Sequence, residues 1–529
     1  MTARVFYSLS DLPDWIDVAR EMQRTLGWEP CYWLTVPGLD ELVAEAFPET
    51  TRHMYYRASR SLPPESSEPI HGRALDEPTL ERFRTCESRV LAMMDRYDPD
   101  GSFTYPDRIR HYHRLLSYWL GVADAVRPEV AVFAATPHEV ADYVAYHAFH
   151  LSGIPTLIFS EANLPELVWV RDGIDTDLLG LSERYSFTLE GVSRGDNDQR
   201  GDLLAIVDRA ADVPDLTKDY LHGLLGSYED ALPDYMREQL VAPSRIRHFT
   251  RRAMNAMKVW RWGLYARNRW GTHAHGWDLL KKRGVPMEES WLTTGELQQL
   301  HRAGKRKKVA LGRAYARGAS EVDLNEAYVY VPLHYQPERT TSAEGGDYTH
   351  QLLMVALLHD LLPEGWYVYV REHPSQFVPS MLGQLGRQEV FYADLLQYPR
   401  VRLVDHDVSP FALIDSARAV ATVTGTAGWE AVVRGVPTLV FGNAWYRLCE
   451  GVFPIKSAGD LHKAYAKISG GMKVDPAKVA CFIRAAHAVG SKADSGQHEP
   501  CRFGDITLEE NVAGLTKLLR AAITDLDSR

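Results

Sequence analysis

Three short runs of β-branched and aromatic residues, each breaking into polar residues, most constrain how this chain can fold. They are Val329-Tyr-Val-Pro-Leu-His-Tyr-Gln-Pro-Glu338, Tyr367-Val-Tyr-Val-Arg-Glu-His-Pro374 and Thr422-Val-Thr-Gly-Thr-Ala-Gly-Trp-Glu430. A helical pattern follows each, at once or a short way on. Runs of this kind are buried strands, and as neighbours in a parallel sheet they gather their polar tips at one edge. Open α/β sheets bind ligands in that crevice, beyond the carboxyl ends of the strands. Three tips in one crevice predict an active site.

The alternation extends along most of the chain. Strands are expected at 4–9, 31–36, 129–135 and 155–159, with helices at 13–26, 40–47, 78–97, 107–126 and 137–151. After a basic, Trp-rich stretch, strands recur at 328–333, 366–371, 401–404, 419–424 and 438–441, separated by helices at 347–362, 380–396, 410–417 and 427–434. Strands alternating with helices imply parallel sheets. At 529 residues the chain exceeds what one hydrophobic core supports. The expected fold is α/β: two Rossmann-like domains facing a cleft, with a helical connector and a carboxy-terminal helical tail. The expected divisions are 1–245, 246–325, 326–455 and 456–529. This is the GT-B architecture, which glycosyltransferases share with sugar-nucleotide 2-epimerases, so fold alone leaves function open.

Composition excludes some classes. The balance of 59 basic and 70 acidic residues, net −11, argues against nucleic acid as a partner. Five widely spaced cysteines, with no Cys-x-x-Cys pair, fit neither a disulfide framework nor a zinc ribbon and point to the cytoplasm. No run approaches the ~18 apolar residues of a membrane span. The stretch 251–270 reads either as a peripheral contact with anionic lipid or as a core-packing helix with a solvated face. Its charges do not segregate to one side, which favours the second.

Each tip carries a chemistry and a plainer alternative. In Thr424-Gly-Thr-Ala-Gly-Trp-Glu430, Gly425 permits a tight turn, Thr426 caps a helix starting at Ala427, and the first-turn N–H groups cradle an anion. Glu430, one turn in, would hold ribose hydroxyls. The alternative is a capped strand–turn–helix with no ligand. His373, fixed by Pro374, would face a phosphate and neutralise a departing nucleotide, or else be a loop histidine. Gln336 and Glu338 flank a stiffening proline, Gln336 as a bidentate hydrogen-bonder and Glu338 as base or hydroxyl ligand. Asp405-His406-Asp407 resembles an Asp-x-Asp metal motif but recurs by chance elsewhere in the chain. It reads better as a loop near the nucleotide base, with Ser409 beside it capping the next helix, so no metal is expected. In the first half, His138, Glu139 and Glu161 follow strands and are the candidates for catalysis across the cleft. Glu139 is equally explained as a first-turn helix stabiliser.

At Gln336-Pro337-Glu338 and His373-Pro374, and over Leu333–Thr341 and Val436–Gly442, the chain resembles the capsule polysaccharide biosynthesis family. Its best-known members are retaining β-Kdo transferases with a GT-B fold. The His-Pro element is also similar to that of bacterial sialyltransferases, where it serves the CMP phosphate. The resemblance covers about 325–445. It implies a CMP-activated sugar acid such as Kdo as donor, a saccharide or lipid-linked acceptor, and no cofactor beyond the nucleotide sugar. The rivals are a 2-epimerase of the same fold and a non-catalytic capsule-assembly scaffold.

Overall fold

The computed structural model describes residues 3–8, 10, 12–36, 38–64, 70–98, 103–161, 164–165, 167–194, 203–228, 294–378, 381–496 and 506–528. The stretch 251–270 and Cys501 lie outside these residues, as does most of the expected connector.

Two seven-stranded sheets form the described core. The first holds β1 Ala3–Tyr7, β2 Trp28–Thr35, β3 Thr51–Met54, β4 Val130–Phe133, β5 Thr156–Glu161 and β6 Leu167–Arg171. The second holds β7 Ala319–Ser320, β8 Ala327–Pro332, β9 Trp366–Arg371, β10 Val401–Val404, β11 Ala419–Thr422, β12 Thr438–Val440 and β13 Val452–Pro454. A late strand, β14 Ser491–Lys492, returns to the first sheet. The first sheet runs β14-β6-β5-β4-β1-β2-β3, parallel from β5 to β3 and antiparallel at β5–β6 and β6–β14. The second runs β13-β12-β11-β8-β9-β10-β7 and is parallel throughout. Both are Rossmann-like, as the alternation predicts.

The Tyr-Val alternation explains why β8 and β9 are central. Val329, Val331, Val368 and Val370 enter the core on one face of the sheet, and Tyr328, Tyr330 and Tyr369 the core on the other. Tyr328 and Tyr369 stack with centroids 4.2 Å apart. A strand buried on both faces needs apolar residues at every position. Strands with a solvated face would show a polar alternate instead.

Packing crosses the expected boundaries at 245 and 455. Helices Leu181–Arg194, Leu203–Arg209 and Asp215–Leu225 share a core with Trp429, Trp445 and Phe482 of the second half. In the tail, helix Ala458–Ser469 belongs to the second domain through Leu461, Ala464 and Tyr465. Helix Leu508–Ser528 instead crosses back, burying Leu515, Leu518 and Leu519 beside Trp15, Val18 and Met22 of the first domain. The expected helix 78–97 divides into Glu77–Arg82 and Arg84–Met93, because Phe83 leaves the helical conformation between them. The expected helix 380–396 shrinks to Glu389–Leu395. Its first part carries Gly386, where a Cβ would lie 2.5–2.6 Å from Gln336 Cβ and O, so this segment packs as an irregular wall.

Candidate functional site

The carboxyl ends of β11, β8, β9 and β10 lie side by side, so the loops after them share one rim. His334 joins two of those loops. Its Nε2 accepts the Thr424 N–H at 3.4 Å and lies 3.0 Å from Thr422 Oγ1, while its Nδ1 is 3.3 Å from Glu338 Oε2. A ring nitrogen that accepts a backbone N–H carries no proton, so His334 holds its proton on Nδ1 and donates it to the Glu338 carboxylate. Thr422 Oγ1 in turn accepts the Gly425 N–H at 3.1 Å. A continuous run of hydrogen bonds therefore passes from Gly425 through Thr422 and His334 to Glu338.

Glu338 sits below its ordinary range. Burial pushes it up, and its interactions with the His334 and His373 rings and the hydrogen bond from the Thr341 hydroxyl outweigh that push. It is an ionised carboxylate, about a third exposed at the rim. His373 stands beside it. Pro374 opens a short turn in which His373 Nδ1 accepts the Ser375 N–H at 3.2 Å. Nε2 therefore holds the proton of the neutral ring and is the donor. Burial lowers the His373 pKa, and Glu338 and Glu372 partly restore it.

Behind His373, the fully buried Glu372 accepts from Arg387 Nε and from Tyr392 OH, each at 2.9 Å. Arg387 also donates to His334 O at 3.1 Å and lies over the Phe391 ring. The His334 and His373 loops are thus braced by one buried cation.

The helix at the β11 tip spans Thr426–Val433, with Gly425 as its cap. The expectation that Thr426 caps a helix starting at Ala427 is corrected by one residue: Thr426 is the first helical residue, exposed on the rim, and its Oγ1 donates to Glu430 Oε1 at 3.3 Å. Gly425 has φ −71°, so no turn strain demands glycine. Close approach demands it, because a Cβ there would lie 2.8 Å from Thr422 Oγ1 and 2.9 Å from His334 Cε1. Ala427 and Glu430 are half-buried, and burial pushes the Glu430 carboxyl up to about 7.

Gly428 packs beneath this turn. A methyl there would press on the Tyr446 hydroxyl and sit 2.8–2.9 Å from the methyls of Thr422 and Thr438. Tyr446 OH donates to Gly425 O at 2.5 Å, so it cannot retreat without releasing the cap. Gly428→Ala is expected to cost about 1–3 kcal/mol, as overpacking does, and to shift the denaturation midpoint without changing the slope.

Other expected residues fall differently. Gln336 is buried, and its side chain turns from the rim to donate to Thr341 Oγ1 at 2.7 Å. Its backbone pairs with the Gln376 amide, 2.9 Å in both directions. It shapes the loop. Ser409 is exposed at the head of helix Pro410–Ser416, as the cap position predicts, without a side-chain cap bond. Asp405 accepts the Asp407 N–H at 3.0 Å. Among the described residues no cluster of three His, Cys, Asp or Glu side chains is arranged to hold a metal.

From the first domain, His138 and Glu139 come to the seam and Glu161 is engaged elsewhere. Glu139 caps helix Val140–Leu151 in a capping box with Asp142, the plainer of its two readings. Arg96, read from sequence only as part of a helix, connects the domains. It donates to His138 O at 2.9 Å and lies 3.4 Å from Glu139 Oε1, and it reaches across to Glu338 O at 2.7 Å and Ser342 Oγ at 3.0 Å. His138 Nδ1 lies 2.7 Å from Thr136 O, so it holds the proton and Nε2 is the basic nitrogen. Glu161 Oε1 accepts from Ser495 N and Oγ, each at 2.7 Å, and anchors the returning tail. Deeper in the seam, Glu344 meets Thr136 Oγ1 at 3.1 Å and Arg171 at 3.3 Å, all buried. A cavity of about 560 Å³ lies behind the 336–337 turn, between Arg89, Arg96, Asp347 and Arg387. Gln336 and Pro337 line it, and His373 does not.

The strand tips, His373-Pro374 and the helix start all fall within residues 310–459, which match the family model described as capsule polysaccharide biosynthesis protein. A capsule polysaccharide modification protein LipA of Neisseria meningitidis serogroup A is 30% identical to this chain over 79 residues, 15% of this chain and 10% of that protein. The chain therefore spans about a tenth of the length of the curated relatives it matches. Among solved structures, the KpsC β-Kdo 2,7-transferase of Thermosulfurimonas dismutans overlaps 42% of this chain and 66% of its own, at 18% identity and a TM-score of 0.23. The UDP-GlcNAc 2-epimerase of Methanocaldococcus jannaschii overlaps 89% and 95%, at 12% identity and a TM-score of 0.23. Overlaps this loose say nothing of chemistry.

Proposed function

We propose that the protein is a GT-B glycosyltransferase that moves a sugar from a nucleotide donor to a saccharide or lipid-linked saccharide acceptor. The donor favoured is a CMP-activated sugar acid such as Kdo. One observation carries the reading: the hydrogen-bonded run from Gly425 to Glu338 sets a helix start, a carboxylate and the His373 donor around one rim, facing the other domain. The leaving phosphate lies at the first-turn N–H groups of helix 426–433, and His373 Nε2–H donates to it as the glycosidic bond breaks. Glu338 holds an acceptor or donor hydroxyl. Glu430, with its pKa near 7, and Ser409 serve the ribose and base. His138 is the first-domain candidate for the base that takes the acceptor proton. The reaction proposed is metal-independent and takes place at the cytoplasmic face of the membrane.

The test is a thermal-shift screen against CMP, UDP, GDP and their sugars, each with EDTA present. A ligand that binds only the native state stabilises it by mass action, by about 2.7 kcal/mol at a hundredfold excess over Kd, and so raises the midpoint. CMP and CMP-sugars are expected to raise it by several degrees. A shift with UDP-sugars alone, with isomerisation of the sugar when no acceptor is present, would replace this reading with a 2-epimerase. No shift with any nucleotide would leave the scaffold.

A further inference from the structure

Helix Thr294–Gly318 carries seven basic residues and one acidic residue, Glu296, in a chain whose net charge is −11. At 100° per residue, Arg302, Lys305, Arg306, Arg313 and Arg317 fall within an arc of about 120°, with Val309 among them. All six are exposed. Their stripe runs about 22 Å along the helix axis at 1.5 Å per residue. The opposite face carries Leu311 and Tyr315, buried in the second domain's core, and Lys308, whose Nζ is spent on the carbonyls of Val378 and Met381. The helix is therefore pinned by its inner face, with the outer cations held in one row. Among the described residues none of the five stripe cations makes an ion pair, whereas many arginines elsewhere do.

We propose that this stripe docks the protein on a bilayer rich in anionic phospholipid. Among the described residues the row stands exposed on the outer face of its helix, so it offers a single flexible polyanion no groove to lie in. A planar surface whose anions move laterally can meet all five cations at once. Each Lys or Arg held near an anionic surface strengthens binding about fivefold, and salt screens the effect over a Debye length. The apolar face is committed to the core, so the contact is electrostatic and superficial, without insertion. It would place a saccharide-modifying site beside lipid-linked acceptors.

The experiment is sedimentation of the full chain with vesicles of phosphatidylcholine, alone or with one third phosphatidylglycerol. The comparison is with the Arg302→Glu, Arg306→Glu, Arg313→Glu triple variant, none of whose positions belongs to the rim described above. The wild type should bind the anionic vesicles only, lose that binding in 0.5 M salt, and lose roughly 100-fold or more in partition on triple reversal. An unchanged melting temperature of the variant secures its fold, and if it falls, the salt series on the wild type decides. Equal binding to both vesicle types, binding that survives 0.5 M salt, or equal partition of a folded variant would overturn the proposal. So would preferential capture by a soluble linear polyanion, such as heparin, at matched charge.

Discussion

His373→Ala is expected to lower turnover about 100- to 1,000-fold, the cost of removing one pre-placed donor to a developing anion, while the melting temperature stays within a few degrees. The loss should fall on kcat more than on KM, because Nε2–H gains most as charge builds on the leaving phosphate. The pH dependence gives a second readout. Burial keeps free His373 below its ordinary pKa, so it is neutral at pH 7. A bound phosphate favours the charged ring, so binding takes up a proton. Affinity for the nucleotide should therefore rise as pH falls through the range in which the bound ring takes up its proton, and the variant should lose that component. The ligand's own second phosphate ionisation, near 6, is common to both proteins and cancels in the difference. Equal turnover, or superimposable pH profiles in calorimetry, would remove His373 from the phosphate site.

How far the site was legible follows from what each residue's neighbours are. His373 could be placed from sequence because Pro374 fixes the turn and β9 fixes its position at a strand end. The helix at 426 was legible because Gly425 and the small residues after it mark a strand–helix turn. Its physical reason was not legible, since the closeness of His334 Cε1 to Gly425 depends on a residue 91 positions earlier in a neighbouring strand. Gln336 misled for a related reason. A polar side chain in a loop tip points wherever its partners lie, and Thr341 and Gln376 hold it inward. Glu161 ends a strand as an active-site residue would, and a serine 334 positions later occupies it. Arg96 left no local signal at all. Nothing in a helix of mixed composition announces that one arginine will reach a backbone carbonyl 242 residues away. The five inner strands of the second sheet, β8 to β12, by contrast, were legible nearly to the residue. Being buried on both faces leaves them little freedom of composition, so the pattern survives without knowledge of tertiary contacts. The short edge strands β3, β7, β13 and β14 went unread because two to four residues carry too little periodicity to separate from loop.

Arg387→Ala is expected to destabilise the second domain by about 3–5 kcal/mol, the range for stranding one partner of a buried ion pair. Its side chain is 4% exposed and that of Glu372 is fully buried, so solvent cannot screen what is left. The loss has three parts: the 2.9 Å bond to Glu372, the 3.1 Å bond to His334 O, and packing over Phe391. Urea unfolding should show a lower midpoint with an unaltered slope. The double variant Glu372→Gln, Arg387→Met separates the causes. An amide in place of the Glu372 carboxylate still accepts from Tyr392 and removes the stranded charge. The double variant should therefore recover at least half of the loss if an uncompensated carboxylate dominates. If it recovers nothing, the bracing of the His334 loop dominates. In that case the double variant should still show impaired turnover at temperatures where it is fully folded, because Glu338 and His373 are then no longer held on one rim. Full stability of Arg387→Ala itself would mean that water reaches Glu372, and that the histidine loops are braced by something other than this buried cation.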